Sequence, residues 1–136
     1  MKHKALAYIT RVNQGVKELL VFDHVKYPHV SPQVIKGSVD ENETYIEAVV
    51  REVLEESGLS LACSPIHSGS FEYKELESNQ DWLIHVFVFE TEENLLDTWE
   101  HIVSDGEEDK GLLFKFYWLP INEAKEKLVS NLGDYL

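Results

Sequence analysis

A chain of 136 residues, 43% of them hydrophobic, can enclose one sizeable core and is too short for two ordinary domains, so residues 1–136 are read as a single domain. Its 25 acidic and 12 basic side chains leave a formal net charge of −13. That balance argues against a large nucleic-acid footprint, yet leaves small anionic ligands open where divalent cations invert the local field. The single Cys63 excludes an internal disulfide, no stretch approaches the roughly 20 apolar residues of a membrane helix, and the short apolar run after Lys2 and Lys4 is no signal peptide. A cytoplasmic location is expected.

Residues 5–12 and 18–25 carry strand-forming side chains, and Asn13-Gln14-Gly15 has the chemistry of a hairpin turn between them. Pro28, Ser31 and Pro32 then interrupt regular structure, so a loop or a short strand over 33–35 should lead to Gly37. Phe22, Tyr27 and His29 lie near this loop and could stack on a base, although aromatics beside a strand more often serve the core or its rim. The loop continues through Asp40, Glu41 and Asn42, where asparagine tolerates a left-handed backbone.

Residues 43–57 have a helical period, with Ile46, Val49, Val50 and Val53 at i, i+3, i+4 and i+7, a stripe expected to face inward. Thr44 and Glu47 form a capping signature at its start, and Gly58 stops it. Glu52, Glu55 and Glu56 share one face of the same helix. Carboxylates gathered within one turn repel one another unless a cation sits among them, and hard oxygen donors suit Mg²⁺ or Mn²⁺ better than zinc. A glutamate-rich helix taken alone is more often a solvated face.

A strand region is expected to begin over 61–66, with Ser64-Pro65 as an irregularity, and another strand over 70–74. Residues 82–90 form the clearest strand, apolar enough to be buried on both faces, with His85 read as a hydrogen-bonded core histidine. None of the six histidines has zinc-site spacing. Residues 91–110 are a long acidic connection, read from its charge as a solvated loop, which Trp99 can anchor or line. A last strand over 112–119 ends at Pro120, before an amphipathic helix over 121–130 with Ile121, Ala124, Lys125 and Leu128 on one side.

The frame around the glutamates changes their weight. Gly37, then Glu43, then Arg51-Glu52, an apolar residue, Glu55-Glu56, and Gly58-Leu59 reproduce every constrained position of the Nudix box, and the chain resembles the Nudix hydrolases over its full length. The resemblance implies an α/β fold with a mixed β-sheet sandwiched between helices. It implies hydrolysis of a pyrophosphate bond in a nucleoside diphosphate linked to another moiety X, which can be a nucleoside triphosphate, a dinucleoside polyphosphate or a nucleotide sugar. On the family pattern, Gly37 (through its carbonyl), Glu52, Glu55 and Glu56 hold Mg²⁺ or Mn²⁺. Glu43 and Arg51 pair to orient the catalytic helix, Glu52 is the first choice of general base, and Glu107 or Glu108 is its replacement. Lys36-Gly37 resembles the pair found in diadenosine-polyphosphate hydrolases, and Lys36 can be a phosphate contact or a solvent-facing lysine. Family analogy also admits a homodimer. The alternative reading is a nucleotide-sensing module that binds without turnover.

Overall fold

The computed structural model describes residues 1–104, 110–128 and 132–136. Among them seven strands form one mixed sheet: β1 (Lys2–Asn13), β2 (Val16–His24), β3 (Ile35–Ser38), β4 (Ile66–Glu75), β5 (Gln80–Glu90), β6 (Thr98–Ile102) and β7 (Leu113–Pro120). The helices are α1 (Tyr45–Ser57) and α2 (Ile121–Lys127). The strand order is β4-β5-β1-β2-β7-β6, with β3 joined to β1.

Strand β1 lies at the centre because its side chains are apolar on both sides. Ala5, Ala7 and Ile9 face α1 together with Phe87, Phe116 and Val53, while Leu6 and Tyr8 face α2 together with Val86, Val21 and Ala124. The period-two alternation of a strand thus feeds two cores, one under each helix, and gives the expected sandwich. β1 runs parallel to β5 and antiparallel to β2 and β3. The hairpin turn is two residues, with Gln14 at φ 50° and Gly15 at φ 81°, the primed geometry that matches strand twist.

Several expectations shift. The acidic connection contains β6, which pairs with β7 as an edge strand; Trp99 and His101 turn inward between exposed Thr98, Glu100 and Ile102, so its alternation is inverted relative to hydrophobicity. Gln33 makes only an isolated bridge to Phe22, and the strand that follows includes Lys36 and Gly37. Residues 61–65 are irregular and β4 starts at Ile66. Helix α2 ends at Lys127 with Lys125 exposed, although Ala124 and Leu128 are buried as expected. Glu107 and Glu108 lie outside the described residues.

Helix α1 is rolled relative to its apolar stripe. Val49 and Val53 are buried, but Ile46 and Val50, also expected inside, are 51% and 49% exposed. Glu52, Glu55 and Glu56 take their place, at 8%, 8% and 2% exposure. Burying three carboxylates while leaving two branched aliphatic side chains in water runs against the hydrophobic effect, and it marks the glutamate face as the one that the fold positions.

Candidate active site

Thr44 caps α1, accepting from the Glu47 backbone N–H at 3.1 Å while the Glu47 carboxylate accepts from the Thr44 N–H at 2.9 Å. Gly58 closes the helix at φ 79°, its N–H donating to the Leu54 carbonyl. Strand β6 secures that end further. The Trp99 indole donates to the Ser57 carbonyl at 3.0 Å, and His101 Nε2 and the Ser104 N–H reach the Glu55 carbonyl at 3.1 and 3.2 Å. These donors satisfy carbonyls that a helix end leaves open. Trp99 was legible as an anchor; His101 was not, and its only signal is its two-residue spacing from Trp99.

Arg51 is the hub of the acidic face. Its Nε and Nη2 make a forked pair with both oxygens of Glu43, at 2.7 and 3.0 Å, and Nη2 also donates to the Ser38 carbonyl at 2.9 Å. Nη1 donates to Glu52 at 2.9 Å and to both oxygens of Glu55 at 3.1 and 3.2 Å. Asp40 adds a looser contact at 3.6 Å. The hydrogen bond from Arg51 holds the Glu43 carboxyl below its ordinary range, overcoming the opposing effect of burial. Reciprocally, the bond to Glu43 raises the guanidinium pKa, so Arg51 stays charged.

Gly37 stands opposite Glu52. A Cβ added at Gly37 would lie 2.1 Å from the Glu52 carboxyl carbon and 2.2 and 2.3 Å from its oxygens. The residue is glycine because a carboxylate occupies the space of its side chain. The pairing of β1 and β3 also fixes where the carbonyls point. The Val39 N–H donates to the His3 carbonyl, so in the alternating antiparallel ladder Gly37 faces Ala5 as a hydrogen-bonded pair. The carbonyl of Gly37 therefore turns toward β1, contrary to its expected role as a ligand. Those of Lys36 and Ser38 point to the other edge of β3, and the Ser38 carbonyl already accepts from Arg51 there.

Among the described residues no three Asp, Glu, His or Cys side chains stand together as a finished metal shell. The Arg51 guanidinium is the cation bridging Glu52 and Glu55. The donor chemistry nevertheless fits a hard divalent ion: buried carboxylates on one helix face, a glycine cradle filled by one of them, and a strand edge with outward carbonyls.

Beside the N-terminus of α1 lies a second polar group. His85 is buried, with Nε2 3.0 Å from His3 Nδ1 and Nδ1 2.9 Å from Ser70 Oγ; the same hydroxyl is 3.2 Å from His67 Nε2. The Tyr45 ring stacks on His85 at 3.8 Å. His85 is thus a hydrogen-bonded core histidine. Phe22 is core, whereas Tyr27 is 48% exposed and His29 is exposed beside it. Cys63 packs half-buried against the α1-side core, and burial pushes its thiol pKa up.

The model of the NUDIX domain matches residues 1–136. The chain belongs to the Nudix family and is a pyrophosphohydrolase by class. Solved structures share the fold. An Ap4A hydrolase from C. elegans, in a binary complex, is 18% identical with a TM-score of 0.66, over 99% of this chain and 88% of that one. The NUDIX domain of Shewanella oneidensis NrtR, complexed with ADP ribose, is 10% identical with a TM-score of 0.69, over 96% and 80%. The E. coli dihydroneopterin triphosphate pyrophosphohydrolase is 19% identical with a TM-score of 0.65, over 93% and 86%.

Proposed function

We propose that this protein is a divalent-metal-dependent hydrolase that cleaves the pyrophosphate bond of a nucleoside diphosphate linked to a further moiety X. The observation that carries this reading is the burial of Glu52, Glu55 and Glu56 on one face of α1, with Glu52 pressed against Gly37. Glu52, Glu55 and Glu56 would hold Mg²⁺ or Mn²⁺, joined by a backbone carbonyl of β3; the outward carbonyl of Lys36 suits this better than that of Gly37. The bound ion would neutralise non-bridging phosphate oxygens and acidify water.

The residues of the chain supply the rest. Glu52 accepts the proton of the attacking water, whose oxygen bonds to phosphorus while the bridging P–O bond breaks and the leaving phosphate keeps the shared oxygen. Arg51, fixed by its fork to Glu43, positions Glu52 and Glu55. Glu107 or Glu108 would replace Glu52 as base if metal binding occupies it fully. The substrate is a small nucleotide: a nucleoside triphosphate, a dinucleoside polyphosphate or a nucleotide sugar. No described helix is long and apolar enough to cross a membrane.

The test is product release from a panel of such compounds with Mg²⁺ or Mn²⁺, beside Glu55→Gln/Glu56→Gln. The expected result is metal-dependent cleavage that falls by at least about 10³-fold in the double variant. Equal turnover by the variant at saturating metal would overturn the assignment of these ligands.

A further inference from the structure

Strand β6 and helix α1 break the hydrophobic rule where they meet. On the strand, Ile102 is 62% exposed while Trp99 and His101 turn inward. On the helix, Ile46, Val50 and Leu54, spaced i, i+4 and i+8, are 51%, 49% and 52% exposed. Two elements that leave aliphatic side chains in water and meet through polar groups mark a contact kept for more than core stability.

The contact is specific. The Glu55 and Ser57 carbonyls belong to the last turn of α1, where the helical ladder runs out. The Leu59 N–H, which a longer helix would send to Glu55, donates to Ser57 Oγ at 3.1 Å instead. The Glu55 carbonyl accepts from His101 Nε2 at 3.1 Å and from the Ser104 N–H at 3.2 Å, and the Ser57 carbonyl accepts from the Trp99 indole at 3.0 Å. The His101 ring also fills the space beside the helix end: a Cβ on Gly58 would stand 3.0 Å from its Nδ1 and 3.1 Å from its Cε1. Behind these side chains the strand is firmly seated. Trp99 stacks on the buried Phe116 ring at 5.2 Å, and β6 pairs with β7 from Thr98 to Ile102.

Geometry decides what the contact does. The helix backbone lies about 2.3 Å from its axis, so a roll of one residue, about 100°, carries each carbonyl about 3.5 Å sideways. Bonds of 3.0 to 3.2 Å do not survive that shift. Burial of Ile46 and Val50 would drive such a roll, and it would swing Glu52 out of the Gly37 cradle and Glu55 and Glu56 away with it. Glu55 is held at both ends, its carbonyl by β6 and its carboxylate by Arg51, and Glu56 follows it in the same turn.

We infer that His101 and Trp99 are positioning residues of the proposed active site: from β6 they lock the roll of α1 and so set Glu55 and Glu56 where a divalent cation can bind. The consequence for turnover rests on the hydrolase reading above, whereas the lock itself rests on the backbone contacts alone. Both side chains act through the helix, without touching substrate or metal.

The test compares Trp99→Phe/His101→Phe, which keeps two rings and removes both donors, with Trp99→Phe/His101→Gln, whose amide can restore the bond to Glu55. Three readings are taken: Mn²⁺ affinity by electron paramagnetic resonance, kcat and KM on the nucleotide panel, and the Arg51 Nε–H resonance of the metal-free protein, which reports the fork to Glu43. In the first variant Mn²⁺ affinity and kcat should each fall about tenfold or more, with KM within about twofold and the Arg51 resonance shifted. The glutamine variant should return to within about threefold of the wild type. A folded first variant that differs from the wild type only in melting temperature would overturn the inference, because a purely structural strand does no more. If the first variant does not fold, Trp99→Phe alone makes the comparison, with a loss of about threefold in Mn²⁺ affinity expected and no loss overturning the lock. A shifted Arg51 resonance in a protein that turns over no nucleotide would uphold the lock and contradict the hydrolase reading. Wild-type turnover with both variants unaffected would uphold the hydrolase reading and overturn the lock.

Discussion

Gly37 shows how much one missing side chain decides. A methyl group there would overlap the Glu52 carboxyl at 2.1 Å, so Gly37→Ala must displace that carboxylate or part β3 from α1. Turnover should drop by about 10²-fold, as a misplacement near 1 Å typically costs, and steady-state kinetics beside a thermal melt will separate lost activity from lost fold. Arg51→Lys keeps a positive charge but cannot reproduce the fork to Glu43 or the simultaneous bonds to Glu52 and Glu55. It should lower kcat by about tenfold or more with little change in KM, read from full saturation curves. His85 gives a pH prediction. Burial, and then the charges of His3 and His67, depress its pKa below the ordinary 6.5. The folded state therefore resists protonation more than the unfolded chain. The stability contributed by neutral His85 is complete above 6.5 and is lost as pH falls toward the depressed folded value. Melting temperatures measured from about pH 8 to about pH 5 should decline for the wild type, and His85→Gln should flatten part of that slope.

At the scale of elements, α1 is a helix whose rotation is set by chemistry as much as by apolarity. Its capping box and terminal glycine were readable because they depend on neighbours in sequence. The roll was not, since Ile46, Val49, Val50 and Val53 define a stripe broad enough for two orientations. What selected between them was the need to place Glu52 over Gly37, a contact between residues far apart in the chain. The consequence is measurable by urea denaturation. Val53→Ala, at 2% exposure, should cost about 2 kcal/mol, whereas Val50→Ala, at 49%, should stay within about 0.5 kcal/mol. Strand β6 was hidden for a related reason: an edge strand with His101 inside and Ile102 outside carries no hydrophobic alternation, and its pairing with β7 and its bonds to the end of α1 define it instead.

Across the whole molecule, the strands that cross the core were legible because their alternation answers to two buried faces at once, as in β1 with Ala5 and Ile9 on one side and Leu6 and Tyr8 on the other. The glutamate set was legible from spacing on one helix. The direction of the β3 carbonyls was not, because it follows from register with β1, and that register places the outward carbonyl at Lys36. The most direct measurement is Mn²⁺ binding and nucleotide turnover recorded together for the wild type and Glu56→Gln. The account predicts Mn²⁺ binding weakened by about tenfold or more and turnover reduced in parallel. Wild-type Mn²⁺ affinity and full turnover in Glu56→Gln would contradict it.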